Sequence, residues 1–254
     1  MPDWSAYVLT DGFFYAVAVP AVLLMGISKS GFGAGFGALS VPMMALAVPV
    51  PQAASILMPI LLAVDVLGLI AYRRECDRAL LKFLLPYGLL GIVVGYVSFS
   101  LLDAHLVAGL VGFVTLLFLA QRLVFPPRAE GQAPPRWVGR VLTVLSGFTS
   151  FIAHSGAPPI NAYLLPMRMA PLRYAATLTV FFFVLNFAKW LPYGALGLLD
   201  ARNLGTAMVL MPLTPIGVWA GVRIARHVPV DLFYKLVYLG MFLTGSKLLW
   251  DGFH

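Results

Sequence analysis

Apolar residues run along this chain in blocks too long for most soluble core helices. They occupy roughly residues 12–27, 36–49, 53–72, 80–101 and 105–125, then 138–152, 157–167, 174–197, 203–223 and 230–250. Several approach or exceed the ~20 residues that carry a helix across a hydrocarbon layer. Between the two sets lies one long hydrophilic stretch, Pro126-Pro127-Arg128 through Pro134-Pro135-Arg136. The pattern predicts an all-α integral membrane protein of about eight hydrophobic units. It divides into a first transmembrane repeat over 1–125, a cytoplasmic linker over 126–137 and a second transmembrane repeat over 138–254.

The halves read as copies. At an offset of 121 positions Gly26 aligns with Gly147, Gly35 with Gly156, Ser40 with Asn161, Ala54 with Ala175 and Asp65 with Asn186, without a gap. Further on, Pro86-x4-Gly91-x3-Gly95 recurs as Pro212-x4-Gly217-x3-Gly221. Small residues four apart let helix backbones approach closely in lipid, and close packing is the role expected of them. Repeated halves are a common architecture of secondary transporters.

Composition and charge then fix the setting. The 254 residues are 61% hydrophobic and 11% charged, with a mean hydropathy of +0.91. One soluble core of this length could not hide that much apolar surface. The net charge of +7 points away from nucleic acid, because the basic residues sit in short connections between apolar runs. Arg73, Arg74, Arg78 and Lys82 share one connection. Arg122, Arg128, Arg136 and Arg140 surround the linker, Arg168 and Arg173 share another connection, and so do Arg223 and Arg226. The 100–105 connection has no Lys or Arg, and 198–203 has only Arg202 beside Asp200. Basic connections face the cytoplasm. All of them do so if the first unit of each half is a hairpin (12–27 with 36–49, and 138–152 with 157–167) followed by three spans. The halves are then two inverted repeats, each a broken-helix hairpin plus three transmembrane helices, and both termini are periplasmic. Asp3 and Asp11, with no Lys or Arg nearby, fit that placement. Met1-Pro2-Asp3-Trp4 lacks the basic start of a cleavable signal peptide. The single cysteine, Cys76, excludes an internal disulfide and reads as a silent thiol.

Two interruptions carry the candidate chemistry. The first is Gly26-Ile27-Ser28-Lys29-Ser30-Gly31-Phe32-Gly33-Ala34-Gly35-Phe36-Gly37, the second Ala153-His154-Ser155-Gly156-Ala157-Pro158-Pro159-Ile160-Asn161. Alternating glycines and paired prolines cannot maintain a regular helix. Unwound backbone at membrane depth persists only where protein buries it or water reaches it. Helix ends at such breaks favour an anion. The expected substrate site therefore gathers Ser28, Lys29, Ser30, Gly31, Gly33, Gly35 and Gly37 with His154, Ser155, Gly156 and Asn161. Close helix packing through Gly31/Gly35 and Gly33/Gly37 is the alternative. A dinucleotide loop fits poorly, since no strand precedes the glycines.

Ionisable groups inside spans are costly and mark function or pairing. Lys189 follows Asn186 by three residues, so both share a helix face. Lys189 is expected either to meet the substrate's charge or to pair with Asp65. Lys29 supplies a second positive charge or snorkels to the interface. His154 binds the anion or carries a coupling proton, and Asp65 is the other coupling candidate. Asp103, His105, Asp200 and Asp231 fall at span ends and are expected to be solvated. Four scattered histidines and one cysteine give no metal site and no cofactor site, and no catalytic constellation converges.

The run Gly31-Phe32-Gly33-Ala34-Gly35-Phe36-Gly37-Ala38-Leu39-Ser40-Val41-Pro42 resembles the first glycine-rich motif of the sulfite exporter TauE/SafE family. Ala153-His154-Ser155-Gly156-Ala157-Pro158-Pro159 with Tyr163-Leu164-Leu165-Pro166 resembles its second. Asn186-x-x-Lys189-x-x-Pro192-Tyr193 is similar to the helix that follows. Ala34 and Ala157 stand where members often have glycine. The resemblance implies a non-enzymatic transporter of the bacterial inner (plasma) membrane, moving sulfite, sulfonates or related anions by alternating access. Its expected partners are a small anionic substrate and the lipid bilayer, with no nucleic acid and room for a homodimer. An anion channel and a non-transport membrane factor in sulfur metabolism are the alternatives.

Overall fold

The computed structural model describes residues 6–29, 36–72, 74–124, 134–227 and 230–254, and every regular element among them is helical. In order these are α1 (Gly12–Lys29), a 3-10 turn (Phe36–Leu39) running into α2 (Ser40–Met44), α3 (Val50–Tyr72), α4 (Arg78–Leu101) and α5 (Ala104–Val124). Then come α6 (Arg136–Ala153), α7 (Ala157–Leu164) with a 3-10 turn (Leu165–Met167), α8 (Pro171–Ala188) and α9 (Trp190–Ala195). The last are α10 (Ala201–Leu210), α11 (Leu213–His227) and α12 (Val230–Asp251). The expected linker lies largely outside the described residues.

Aspartates start several of these helices. The Asp77 carboxylate accepts from Leu80 N at 2.9 Å, Asp103 from Leu106 N at 2.8 Å and Asp200 from Asn203 N at 2.7 Å. Asp11 does the same for Phe13 and Phe14 at the head of α1. A carboxylate satisfies orphan N–H groups and favours the positive end of the helix. It also keeps its charge at the end of a span. Asp103, His105 and Asp200 are exposed, as expected.

Prolines set the breaks. Pro192 and Pro212 have no N–H for the carbonyls of Ala188 and Met208, and each ring crowds that carbonyl. Thus α8 stops at Ala188 and resumes as α9 past Lys189. The 203–223 run, expected as one span, is α10 and α11, bent by 40°. Pro215 adds a second missing donor there, whereas α4, with Pro86 alone, stays continuous over 24 residues.

Among the described residues two stretches, Arg78–Leu101 and Leu172–Ala195, are long and apolar enough to cross a membrane, and the bent α10–α11 pair qualifies as a third. Gly12–Ile27, Val50–Val66 and His105–Gln121 are shorter apolar helices. Outward faces carry Val93, Val97, Leu101, Phe113, Leu117, Leu191, Met208, Trp219, Phe242 and Leu243, all exposed. So much exposed apolar surface belongs to a multi-pass membrane protein rather than one facing water.

The helices pair across the halves. Gly91 of α4 meets Gly147 of α6: a Cβ on Gly91 would lie 2.1 Å from Val144 O, and one on Gly147 would lie 2.0 Å from Gly88 O. Gly26 of α1 meets Gly217 of α11 in the same manner. The small-residue positions therefore do what their spacing predicts. Along α4 and α6, contacts advance together, with Arg140 over Tyr87, then Gly147 on Gly91 and Phe151 on Gly95. These two helices run parallel. Along α5 and α12 they oppose each other, with Gly109 on Gly252 and Leu116 on Gly245. That pair is antiparallel.

The central pair, α3 and α8, is antiparallel too. Asn186 donates to the Asp65 carboxylate between them. The start of α3 meets the chain beyond α8, where Ser55 donates to Leu198 O and Gln52 Nε2 to Asn203 Oδ1 at 3.0 Å. The start of α8 meets the chain beyond α3, where Arg173 lies 2.9 Å from Asp77.

Candidate functional site

The second interruption is a left-handed stop. At the end of α6, His154 takes φ 51° and ψ 24°, a conformation that costs a side-chain-bearing residue ~1–2 kcal/mol. Its N–H donates to Ser150 O at 3.2 Å, the single bond of an αL cap, and that of Ser155 reaches back to Thr149 O at 3.1 Å. Glycine normally holds this position. Strain of this kind collects at functional sites.

The freed carbonyls beyond the stop are met by α6 itself. Ser146 Oγ donates to Gly156 O at 2.6 Å and Thr149 Oγ1 to Ser155 O at 2.9 Å. The irregular backbone is therefore buried in protein, with its carbonyls satisfied by hydroxyls. Pro158 and Pro159 have no N–H to offer, so the start of α7 can give an anion little beyond its dipole. Asn161, buried on α7, accepts from the Tyr174 hydroxyl at 2.7 Å.

Lys189 lies at the α8–α9 break with 0% of its surface exposed. Its Nζ donates to Ser150 O at 2.9 Å and to Ser150 Oγ at 3.2 Å, and stands 3.0 Å from His154 Nδ1. The His154 ring reaches on to Ala54 O of α3, with Nε2 at 2.7 Å. Tyr193, one turn beyond Lys189, stacks near that ring with centroids 6.2 Å apart and donates to Phe151 O at 2.7 Å. Lys189 and Tyr193 together hold the C-terminal carbonyls of α6, where a cation meets the negative end of the helix. A buried ammonium costs several kcal/mol in lost hydration, so its three donors need such partners.

Of the expected residues, the structure brings Lys189 and His154 into direct contact and sets Ser155 and Gly156 in the same turn. Asn186, one turn before Lys189, binds the Asp65 carboxylate, so the pair aligned at the 121 offset meets face to face. Ser28 and Lys29 close α1. Their side chains, with Ser30, Gly31, Gly33 and Gly35 entirely, lie outside the described residues. Gly37 is half-buried in the turn before α2, and α2 packs against α1 and α3. Helix α3 thus meets α2, which follows the first interruption, and His154 in the second.

Sequence reasoning missed Ser150 and Trp190, and it named Tyr193 only as part of the run around Lys189. Ser150 had a legible signal, lying one turn before His154 on α6. Trp190 Nε1, on the residue after Lys189 in the chain, is buried without a hydrogen-bond partner among the described residues. An orphaned donor of this kind costs ~1–3 kcal/mol and is relieved by an incoming acceptor. Among the described residues no group of His, Cys, Asp or Glu could hold a metal ion.

A family model described as Sulfite exporter TauE/SafE matches residues 18–248. No curated protein and no solved structure matches the chain.

Proposed function

The chain belongs to the sulfite exporter TauE/SafE family, and on that premise we propose that it is a secondary transporter for a small sulfur-containing anion of the sulfite or organosulfonate class. The observation that carries this reading is the fully buried Lys189 at a helix break, with its Nζ on Ser150 and against His154. A buried ammonium at membrane depth, donating to backbone and hydroxyl oxygens, is suited to meet an oxyanion. Purified protein in liposomes is expected to move sulfite or a short alkylsulfonate well above empty vesicles. Intact protein with no flux for any sulfur oxyanion sinks the reading. Currents far beyond carrier turnover would move it to the channel alternative.

Two inverted repeats account for the helix pairings. Halves related by an axis in the membrane plane make equivalent helices antiparallel, and α3/α8 and α5/α12 both are. The contact of α1 with α11 repeats that of α4 with α6, with the halves exchanged. This arrangement gathers the Arg-rich connections at one end, where Arg173 meets Asp77. Residues 7–9 sit against Gly205 and Thr206, and Gly252 against Gly109, at the ends away from those connections. That supports periplasmic termini in an inner membrane.

Alternating access draws on the polar clasps at the two ends of the α3–α8 pair. One joins Arg173 to Asp77, and the other joins Gln52 and Ser55 to Asn203 and Leu198 O. An exposed ion pair contributes at most ~1 kcal/mol, weak enough to open in each cycle. Arg173→Ala is expected to raise the alkylation rate of the adjacent Cys76 by up to about fivefold, the factor that such an energy supports. An unchanged rate in detergent and in liposomes removes this clasp from the cycle.

A further inference from the structure

The His154 ring has one tautomer open to it. Its Nε2 faces a carbonyl oxygen, Ala54 O, at 2.7 Å, and a carbonyl only accepts, so Nε2 carries hydrogen. Across the ring, Nδ1 stands 3.0 Å from Lys189 Nζ, and one proton occupies that line. The same ammonium donates to Ser150 O at 2.9 Å. As built, the two side chains therefore share a single positive charge. A second proton would set two N–H donors point to point, 3.0 Å apart, which no hydrogen bond can bridge.

We infer that His154 and Lys189 form a dyad that takes up one proton when an anion binds, so that the anion and the proton travel together. This rests on the anion-transporter reading above and names the coupling step of the same site. An anion oxygen entering between Nδ1 and Nζ accepts from both. The extra proton then turns a repulsive contact into two charge-assisted bonds. The N–H···N bond breaks, one N–H···O bond forms to each partner, and the proton comes from solvent on the side the anion enters. Linkage gives the sign: protonation tightens the anion, and the anion raises proton affinity by the same factor.

Among the described residues, Asp65 is the carboxylate that α3 brings towards the dyad, and it accepts from Asn186. Tyr193 of α9 stacks near the ring with its hydroxyl on Phe151 O. Arg136 and Arg140 on α6, Arg78 and Lys82 on α4 and Arg173 on α8 lie at the opposite ends of their helices. Asp103 and His105 are exposed at the start of α5.

The test uses sulfate and methanesulfonate, whose own charges stay fixed where histidine titrates, about pH 5 to 8. Binding to the purified full chain is measured across that range, with an indicator dye reporting proton release or uptake. The wild type is expected to take up about one proton per anion and to gain up to about tenfold in affinity per pH unit of acidification. His154→Gln keeps a donor for Ala54 O and an acceptor for Lys189 but cannot take the proton. It is expected to bind with flat pH dependence and no uptake, and in liposomes to lose acceleration by an acidic entry side. Wild-type binding without proton uptake, or uptake persisting in His154→Gln, overturns the dyad alone and leaves the transporter reading standing. No binding of any sulfur oxyanion at any pH overturns both.

Discussion

Lys189→Met is expected to lower sulfur-anion flux by about a hundredfold or more while leaving a folded, monodisperse protein. Losing one charge-assisted hydrogen bond to a substrate oxygen in a dry site is worth ~1.5–3 kcal/mol, and the lost charge attraction adds to it. The stability change runs the other way and is small. Methionine fills a similar volume, Ser150 O keeps its bond from His154 N, and removing a buried charge recovers its desolvation cost. Flux in liposomes and thermal unfolding, measured on one preparation, separate the two roles open to Lys189. A large fall in unfolding temperature with proportionate loss of flux would make Lys189 a cap for α6 only. Undiminished flux would remove its charge from transport.

The largest structural effect is expected at the α4–α6 crossing. In Gly91→Val, the new Cβ would lie 2.1 Å from Val144 O and 2.8 Å from Phe148 N, both backbone atoms that cannot swing aside. The helices must part, and the contacts along Gly88, Gly95 and Phe151 go with them. Overpacking in a close-packed core costs ~1–3 kcal/mol or more, and a backbone clash exceeds that range. We expect no monodisperse peak in detergent for Gly91→Val and a weakened one for Gly91→Ala. Gly12→Ala, with nothing within 4 Å of its Cβ, is the control and should be neutral. A well-folded Gly91→Val would mean that the two helices do not cross here.

Much of this was legible because the signals are local. Apolar runs, capping aspartates and breaking prolines act within a turn or two of themselves, so the helix ends fall close to where the pattern placed them. The 121-position offset that aligns Asp65 with Asn186 in the sequence said nothing of their contact, which the structure supplies. The split at Met211 was underread: Pro212 and Pro215 carry the signal, but an apolar run hides a bend whose cost is met by neighbouring helices. The interruption near Gly156 was expected from its glycine and prolines, but not the left-handed residue that makes it, which is His154.

By itself, the sequence determined a membrane-embedded helical chain, its two interruptions and the residues able to carry charge there, since hydropathy, capping and proline chemistry act over a few residues. Tertiary structure alone decided which of those residues meet. Lys189 reaches His154 across 35 positions and His154 reaches Ala54 across 100, because packing of the whole helix bundle brings α3, α6 and the end of α8 within a side chain's length. No local pattern encodes such distances; they arise only when helices from both halves pack together.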